Sequence, residues 1–77
     1  MINILFFASL RDQMGADSMQ IDTAPMSVAQ LKTHMSQHHG LTNCEAMAVS
    51  INQVYAKDSD VINAGDTVAF IPPVGGG

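Results

Sequence analysis

The chain has 77 residues, 47% of them hydrophobic and 13% charged, which is enough for one small folded domain and too apolar for a disordered chain. Seven acidic residues against three basic ones give a net charge of −4, which argues against a surface that binds the phosphate backbone of a nucleic acid. The opening MINILFF lacks the basic leader of a secretory signal, and no apolar run approaches the roughly 20 residues that span a membrane, so we expect no membrane association.

The first third of the chain predicts a strand, a short helix and a second strand. The apolar run INILFFA at residues 2–8 is too short for a core helix and predicts a strand. Ser9 and Asp12 form an S-x-x-D capping-box pattern, and Gly15 gives a stop, which together predict one or two helical turns. The segment SMQID at residues 18–22 alternates weakly, and we expect it to pair back on the first strand.

The clearest predicted element is an amphipathic helix of about three turns that follows Pro25. Ser27 and Gln30 give it an S-x-x-Q start, and Gly40 gives it an end. Its predicted inward face has four members at 3-4-3 spacing: Val28, Leu31, Met35 and His38.

The second half predicts three strands. AVSI at 48–51 and VYA at 54–56 flank the two-residue turn NQ, and TVAFI at 67–71 is stopped by Pro72 and Pro73, which cannot donate to a strand ladder. The polar segment 58–66 between them ends in the turn signal AGD. This order predicts an α+β roll of the β-grasp, or ubiquitin-like, type, with one main helix across a mixed sheet of four or five strands. The pairing of the first strand with the last is assumed by analogy with that fold.

A single helix covers only one face of such a sheet, so the other face needs an explanation. Ile2, Ile4, Phe6 and Ala8 share one side of the first strand, while Leu5 and Phe7 share the other. Leu5, Phe7 and Ile71 would then form an apolar patch for a partner, and the alternative is the ordinary partial exposure of a small domain.

The chain finishes in FIPPVGGG, and this tail is the main functional candidate. The prolines stiffen its start, and glycines let a backbone enter a channel too narrow for side chains. The reactive group at Gly77 is the α-carboxylate, which is ionised and becomes an electrophile only when another enzyme activates it, for example as an acyl adenylate. The alternative is a frayed end or a cloning remnant.

These features together resemble the small-subunit family of molybdopterin synthase, MoaD. The resemblance covers the whole chain and rests on the segments INILFFASLRDQMG, AVSINQVYA and INAGDTVAFIPPV and on the final pair Gly76-Gly77. It implies one domain over residues 1–77 with a flexible functional tail at 72–77, acting in the cytoplasm as a sulfur carrier that is not catalytic alone. A partner would adenylate Gly77 with ATP, sulfur transfer would make a thiocarboxylate, and the tail would donate sulfur to cyclic pyranopterin monophosphate to form the molybdopterin dithiolene.

The same resemblance implies the partners and the contact residues. The partners are the large (MoaE-like) synthase subunit, in a heterotetramer of two small and two large subunits, and an adenylyltransferase (MoeB-like) that uses ATP; no cofactor is bound to this chain. The expected contact residues are Phe7, Arg11, Tyr55, Ile71, Pro72, Pro73, Val74 and Gly75. Two of these depart from the family pattern: Gly75, where relatives often carry a side chain, and Tyr55, where an aliphatic residue is expected.

Other functions remain alternatives. Sulfur carriers for thiamine synthesis, transfer-RNA thiolation or cysteine synthesis share the terminal glycines, although the thiamine carriers lack the FIPPV run. A β-grasp module that binds a partner without carrying sulfur is a different class.

Two further candidate sites, a histidine pair and a cysteine, are better explained by structural roles. His34 and His38 have a spacing that suits zinc, but the sequence offers neither an HExxH glutamate nor a nearby third ligand, so we expect no metal and a favourable position near the helix C-terminus. Cys44 is the chain's single cysteine, which fits a reducing compartment. We expect it to be a small apolar residue, with a persulfide as the alternative, because no basic neighbour would activate it.

Overall fold

The structure is a computed structural model that describes residues 1–23 and 25–72. The elements in chain order are β1 (Ile2–Phe6), α1 (Ser9–Met14), β2 (Ser18–Ile21), β3 (Met26–Ser27), α2 (Val28–His39), a 3₁₀ turn (Cys44–Ala46), β4 (Ala48–Ile51), β5 (Val54–Ala56), β6 (Val61–Ile62) and β7 (Thr67–Ile71). The expected tail residues Pro73, Val74, Gly75, Gly76 and Gly77 lie outside the described part of the chain.

Five strands form one mixed sheet in the order β2-β1-β7-β4-β5. The central pair, β1 and β7, is parallel, with Leu5 opposite Ala69 and Phe6 opposite Phe70. The pairs β1–β2, β4–β7 and β4–β5 are antiparallel. The β-grasp prediction is therefore confirmed, including the assumed contact between the first and last strands and the return of residues 18–21 onto β1.

The first strand ends earlier than predicted, and the helix after it is capped differently. β1 stops at Phe6, and Ala8 turns the chain with φ 52° and ψ −130°, a backbone conformation that is unfavourable for a residue with a Cβ. The Ser9 capping box is wrong, because Ala8 is the residue at the helix N-cap and no side chain accepts a capping hydrogen bond there. The stop at Gly15 is confirmed by its left-handed φ of 72°.

The start and end of the main helix were predicted correctly. The Gln30 N–H donates to Ser27 Oγ over 3.1 Å, and the Ser27 N–H donates to Gln30 Oε1 over 2.9 Å. Gly40 follows the last turn with φ 72°. The short ladder between β3 and β6 was not predicted, since two-residue strands carry no periodicity; it joins the chain before α2 to the polar segment before β7.

The core lies between α2 and one face of the sheet. Its fully buried side chains include Ile2 and Ile4 from β1, Val68 and Phe70 from β7, and Leu31 and Met35 from α2. The predicted inward position of His38 is wrong: this side chain is exposed, and Leu41, beyond the turn at Gly40, is buried near the end of the helix instead. No helix in the described ranges is long and apolar enough to cross a membrane; the longest, α2, has 12 residues.

Leu31→Ala tests the packing of the helix on the sheet. Leu31 is fully buried, so its truncation should leave a cavity and lower the free energy of unfolding by about 2–5 kcal/mol, measured as a lower urea midpoint. Ser36→Ala on the exposed side of the same helix is the matched control and should change stability by less than about 0.5 kcal/mol. An unchanged midpoint in Leu31→Ala would contradict the helix register.

Candidate functional site

The side of the five-stranded sheet that faces away from α2 is left without a covering element among the described residues, and we call it the open face. The strand registers place one row of side chains across it, from β1 through β7 and β4 to β5: Leu5, Ala69, Ser50 and Tyr55. Strand alternation puts Phe7 and Ile71 one step further along on the same face.

The open face contains a shallow cavity of about 500 Å³ with an apolar and a polar end. Leu5, Phe7, Ala69 and Ile71 line the apolar end. Phe7 is 47% exposed, whereas Phe6 on the covered side is 2% exposed. A half-exposed phenylalanine beside the partly exposed side chains of Leu5 and Ile71 is typical of a protein interaction site.

The structure brings three of the expected contact residues onto this face, places Pro72 directly after one of them, and leaves Arg11 outside the cavity. Phe7 and Ile71 line the same cavity, and Tyr55 lies on edge strand β5 with 74% of its surface exposed. Pro72 directly follows Ile71 and is half-buried. Arg11 does not line the cavity; its guanidinium is on α1, 3.9 Å from the Asp17 carboxylate, with both side chains exposed, so this ion pair contributes little stability.

The polar end of the cavity includes a turn whose importance the sequence did not reveal. Asn52 and Gln53 join β4 to β5 with φ values of 51° and 71°, as in a type I′ hairpin turn. The Asn52 N–H donates to the Thr67 carbonyl over 2.7 Å, and the Thr67 N–H donates to Asn52 Oδ1 over 3.0 Å. These bonds fix the hairpin against the start of β7 and hold that end of the open face in shape.

Asp66 completes this arrangement. Its carboxylate accepts one hydrogen bond from the Asn63 N–H over 2.8 Å and one from Asn52 Nδ2 over 3.0 Å. These two bonds, the first being the larger cause, hold the pKa of Asp66 below its ordinary value of 3.8. The signal that could have identified this residue is the N-x-x-D turn pattern from Asn63 to Asp66.

Cys44 has the properties of a structural residue. Its thiol is buried and lies 3.4 Å from the Leu41 carbonyl oxygen. Burial, and to a lesser extent the nearby Glu45 carboxylate, raises the pKa of the thiol, so the reactive thiolate is disfavoured. This environment matches the expected apolar role and opposes persulfide chemistry at this cysteine.

The histidines of α2 lie close to one another. The ring centroid of His34 is 4.7 Å from that of His38 and 5.4 Å from that of His39. Partial burial, followed by the charges of His38 and His39, lowers the pKa of His34 below 6.5. Within residues 1–23 and 25–72, no group of three or more His, Cys, Asp or Glu side chains is arranged to hold a metal ion.

Comparison with known proteins gives both a family and a set of structural neighbours. A family model described as the ThiS family matches residues 4–77. Two relatives named molybdopterin synthase sulfur carrier subunit align over the full length of both chains, at 31% identity for the Haemophilus influenzae protein and 33% for the Escherichia coli protein.

Solved structures share the fold at lower sequence identity. SAMP1 from Haloferax volcanii has a TM-score of 0.81 and 22% identity, covering 99% of this chain and 98% of its own. A chain in the complex of subunits 1 and 2 of molybdopterin-converting factor from Helicobacter pylori has a TM-score of 0.69 and 19% identity, covering 99% and 97%.

Asp66→Asn tests the hydrogen bonds at the polar end of the open face. Because folding lowers the Asp66 pKa, its contribution to stability is present above the unfolded value of 3.8 and is lost as the pH falls through the folded value. The variant should therefore be less stable than the parent protein at pH 7, and the difference between their urea midpoints should shrink at acid pH.

Asp22→Asn is the control for Asp66→Asn, since Asp22 is exposed and its side chain makes no hydrogen bond within the described part of the chain. A difference between Asp66→Asn and the parent that stays constant from pH 7 into the acid range would contradict the assignment.

Proposed function

Because the chain belongs to the ThiS family and matches molybdopterin synthase sulfur carrier subunits over its full length, we propose that it is the sulfur carrier subunit of a molybdopterin synthase. The observation that carries the proposal is the alignment of 100% of this chain with relatives of that name. Their names favour the molybdopterin pathway over thiamine synthesis and the other sulfur-carrier pathways.

The proposed chemistry takes place at the final glycine. The Gly77 carboxylate attacks the α-phosphate of ATP on the activating enzyme, which releases pyrophosphate and leaves a glycyl adenylate. Sulfide-level sulfur then displaces AMP and leaves a thiocarboxylate. The thiocarboxylate sulfur bonds to cyclic pyranopterin monophosphate in the large subunit, and hydrolysis of the acyl–sulfur bond returns the Gly77 carboxylate. This scheme needs no nucleophilic side chain on the carrier, which agrees with the buried, disfavoured thiolate of Cys44.

We propose that the large subunit binds the open face. The Helicobacter pylori neighbour is a complex of subunits 1 and 2 of molybdopterin-converting factor, which supports a partner subunit for this chain. Ile71 lines the cavity beside Phe7, and Pro72, the first residue of the predicted tail, comes next. A partner seated on Phe7 and Ile71 is therefore next to the start of the tail.

The remaining assignments complete the proposal. The assembly is a heterotetramer of two small and two large subunits, and a separate adenylyltransferase uses ATP to activate the tail. Arg11 and Tyr55 contact the large subunit around the cavity. The tail residues Pro73, Val74 and Gly75 enter the large subunit together with the final glycine pair. We place this assembly in the cytoplasm, where a lone reduced cysteine is typical.

Phe7→Ala tests the open face as the binding surface. Truncation of an exposed aromatic anchor should weaken binding to the large subunit by about 1–3 kcal/mol, measured by titration calorimetry, and leave the fold intact because Phe7 is not in the core.

The matched control for Phe7→Ala is Val61→Ala on β6, which removes another exposed apolar side chain that does not line the cavity. Its affinity for the large subunit should match that of the parent. Equal affinities for Phe7→Ala and the parent would place the interface elsewhere.

An added alanine after Gly77 tests the carrier chemistry. It moves the activated carbonyl by about 3.5 Å, and displacements of about 1 Å already cost roughly a hundredfold in rate. Molybdopterin formation with purified large subunit and activating enzyme should therefore be lost, although folding stays normal. Deletion of Gly77 should impair activity less severely, since Gly75 and Gly76 then supply a terminal glycine pair.

The control for the extended tail is Gly75→Ala, which leaves the position of the final carbonyl unchanged and should retain most activity. Mass spectrometry monitors trimming of the extra residue and the gain of about 16 Da that replacement of oxygen by sulfur produces. Full activity of an untrimmed extended chain would contradict the proposed carrier chemistry at Gly77.

A further inference from the structure

The C-terminal half of α2 carries three imidazole rings that the sulfur-carrier function does not use. His34 and His38 are four residues apart, so their side chains lie on the same side of the helix, one turn from each other. Their ring centroids are 4.7 Å apart and the rings are tilted by 37°.

This separation suits two ligands of one metal ion. Imidazole nitrogens bind late first-row ions at about 2.0–2.1 Å, and two rings that meet an ion at angles of about 90–110° have centroids roughly 4.5–5.2 Å apart. The pair His34–His38 falls within this range, whereas His34 and His39 are 5.4 Å apart. The distance between the two rings is therefore compatible with their binding one ion.

The surroundings of the pair leave room for further ligands. His34 and His38 line a shallow cavity of about 340 Å³ with Met26, Gln30 and Gln37, and no Lys or Arg side chain lines it. The nearest helix cation, Lys32, lines a different cavity and is paired with Asp58 over 3.0 Å. A divalent ion would meet neutral polar groups and water here.

We propose that His34 and His38 form a two-imidazole site for a late first-row divalent ion, with water completing its coordination. Because no third side-chain ligand is arranged among the described residues, the site is open and exchangeable rather than a closed structural site. The expected order of affinity is Cu²⁺ above Ni²⁺ and Zn²⁺, as the Irving–Williams series requires. The site lies on α2, across the sheet from the open face, so it is independent of the proposed function.

The test is calorimetric titration of the full-length, untagged protein with Cu²⁺, Ni²⁺ and Zn²⁺ salts in a weakly coordinating buffer. The parent should bind one Cu²⁺ at this site, with a rise in Tm, since an ion that binds only the folded state stabilises it. His34→Ala and His38→Ala should each weaken Cu²⁺ binding by about tenfold or more, which corresponds to at least about 1.4 kcal/mol.

His39→Ala is the matched control, because it removes the third imidazole and keeps the pair; its affinity should stay within about twofold of the parent. A second measurement needs no variant: Cu²⁺ should broaden the amide resonances of residues 33–39 before those of the open face. Unchanged affinity in both His34→Ala and His38→Ala, or broadening centred elsewhere, would overturn the site. A loss in His39→Ala as large as that in His34→Ala would overturn the two-ligand description.

Discussion

One helix can cover only one face of a five-stranded sheet, and this limit determines which side chains form the core and which remain exposed. The parallel pair β1–β7 has side chains on both faces, and the two sets meet different environments. Ile4 and Phe70 are fully buried under α2, while Phe7, on the other face, is 47% exposed. The alternation of one strand therefore supplies both the core that holds the domain together and the surface that remains for a partner.

The two faces differ in what they contribute to the free energy of folding. Burial of apolar side chains under α2 contributes about 25 cal/mol per Å² of area removed from water. The open face leaves part of its apolar area in water. The free energy gained by burying that area becomes available only when the face associates with a partner. Its shape is maintained by polar bonds at one end, where Asn52 joins the hairpin to Thr67 and Asp66. Hydrogen bonds that hold a surface in its binding shape reduce the entropy lost when a partner binds.

Much of the fold was predictable from local patterns, and the exceptions have identifiable causes. Ser27 and Ser9 both begin capping-box patterns, but only Ser27 is at an N-cap, because the turn at Ala8 starts α1 one residue earlier. His38 has the right helical spacing for the core, but the turn at Gly40 lets Leu41 be buried instead. The parallel contact between β1 and β7 came from analogy with the fold, since no local pattern encodes a pairing between distant segments.

The residues of the candidate site also divide into those that local sequence patterns predicted and those that they did not. Strand alternation was enough to place Phe7 and Leu5 on one face, and the register of β7 brought Ile71 beside them. The turn pattern from Asn63 to Asp66 is local, but the bonds from Asn52 to Asp66 and Thr67 could not be foreseen, because they join segments that are distant in sequence.

The parallel contact between β1 and β7 also has a consequence for the order of events during synthesis. β1 leaves the ribosome before the other described strands, but its central neighbour in the sheet is the last of them. Until β7 has emerged, β1 has only β2 as a ladder partner, and its apolar residues lack their neighbours on β7. Such long-range pairing slows folding and prolongs the exposure of strand edges. The sheet therefore cannot close until β7 has left the ribosome, and the nascent chain that still lacks β7 is the species for which protection by a chaperone matters most.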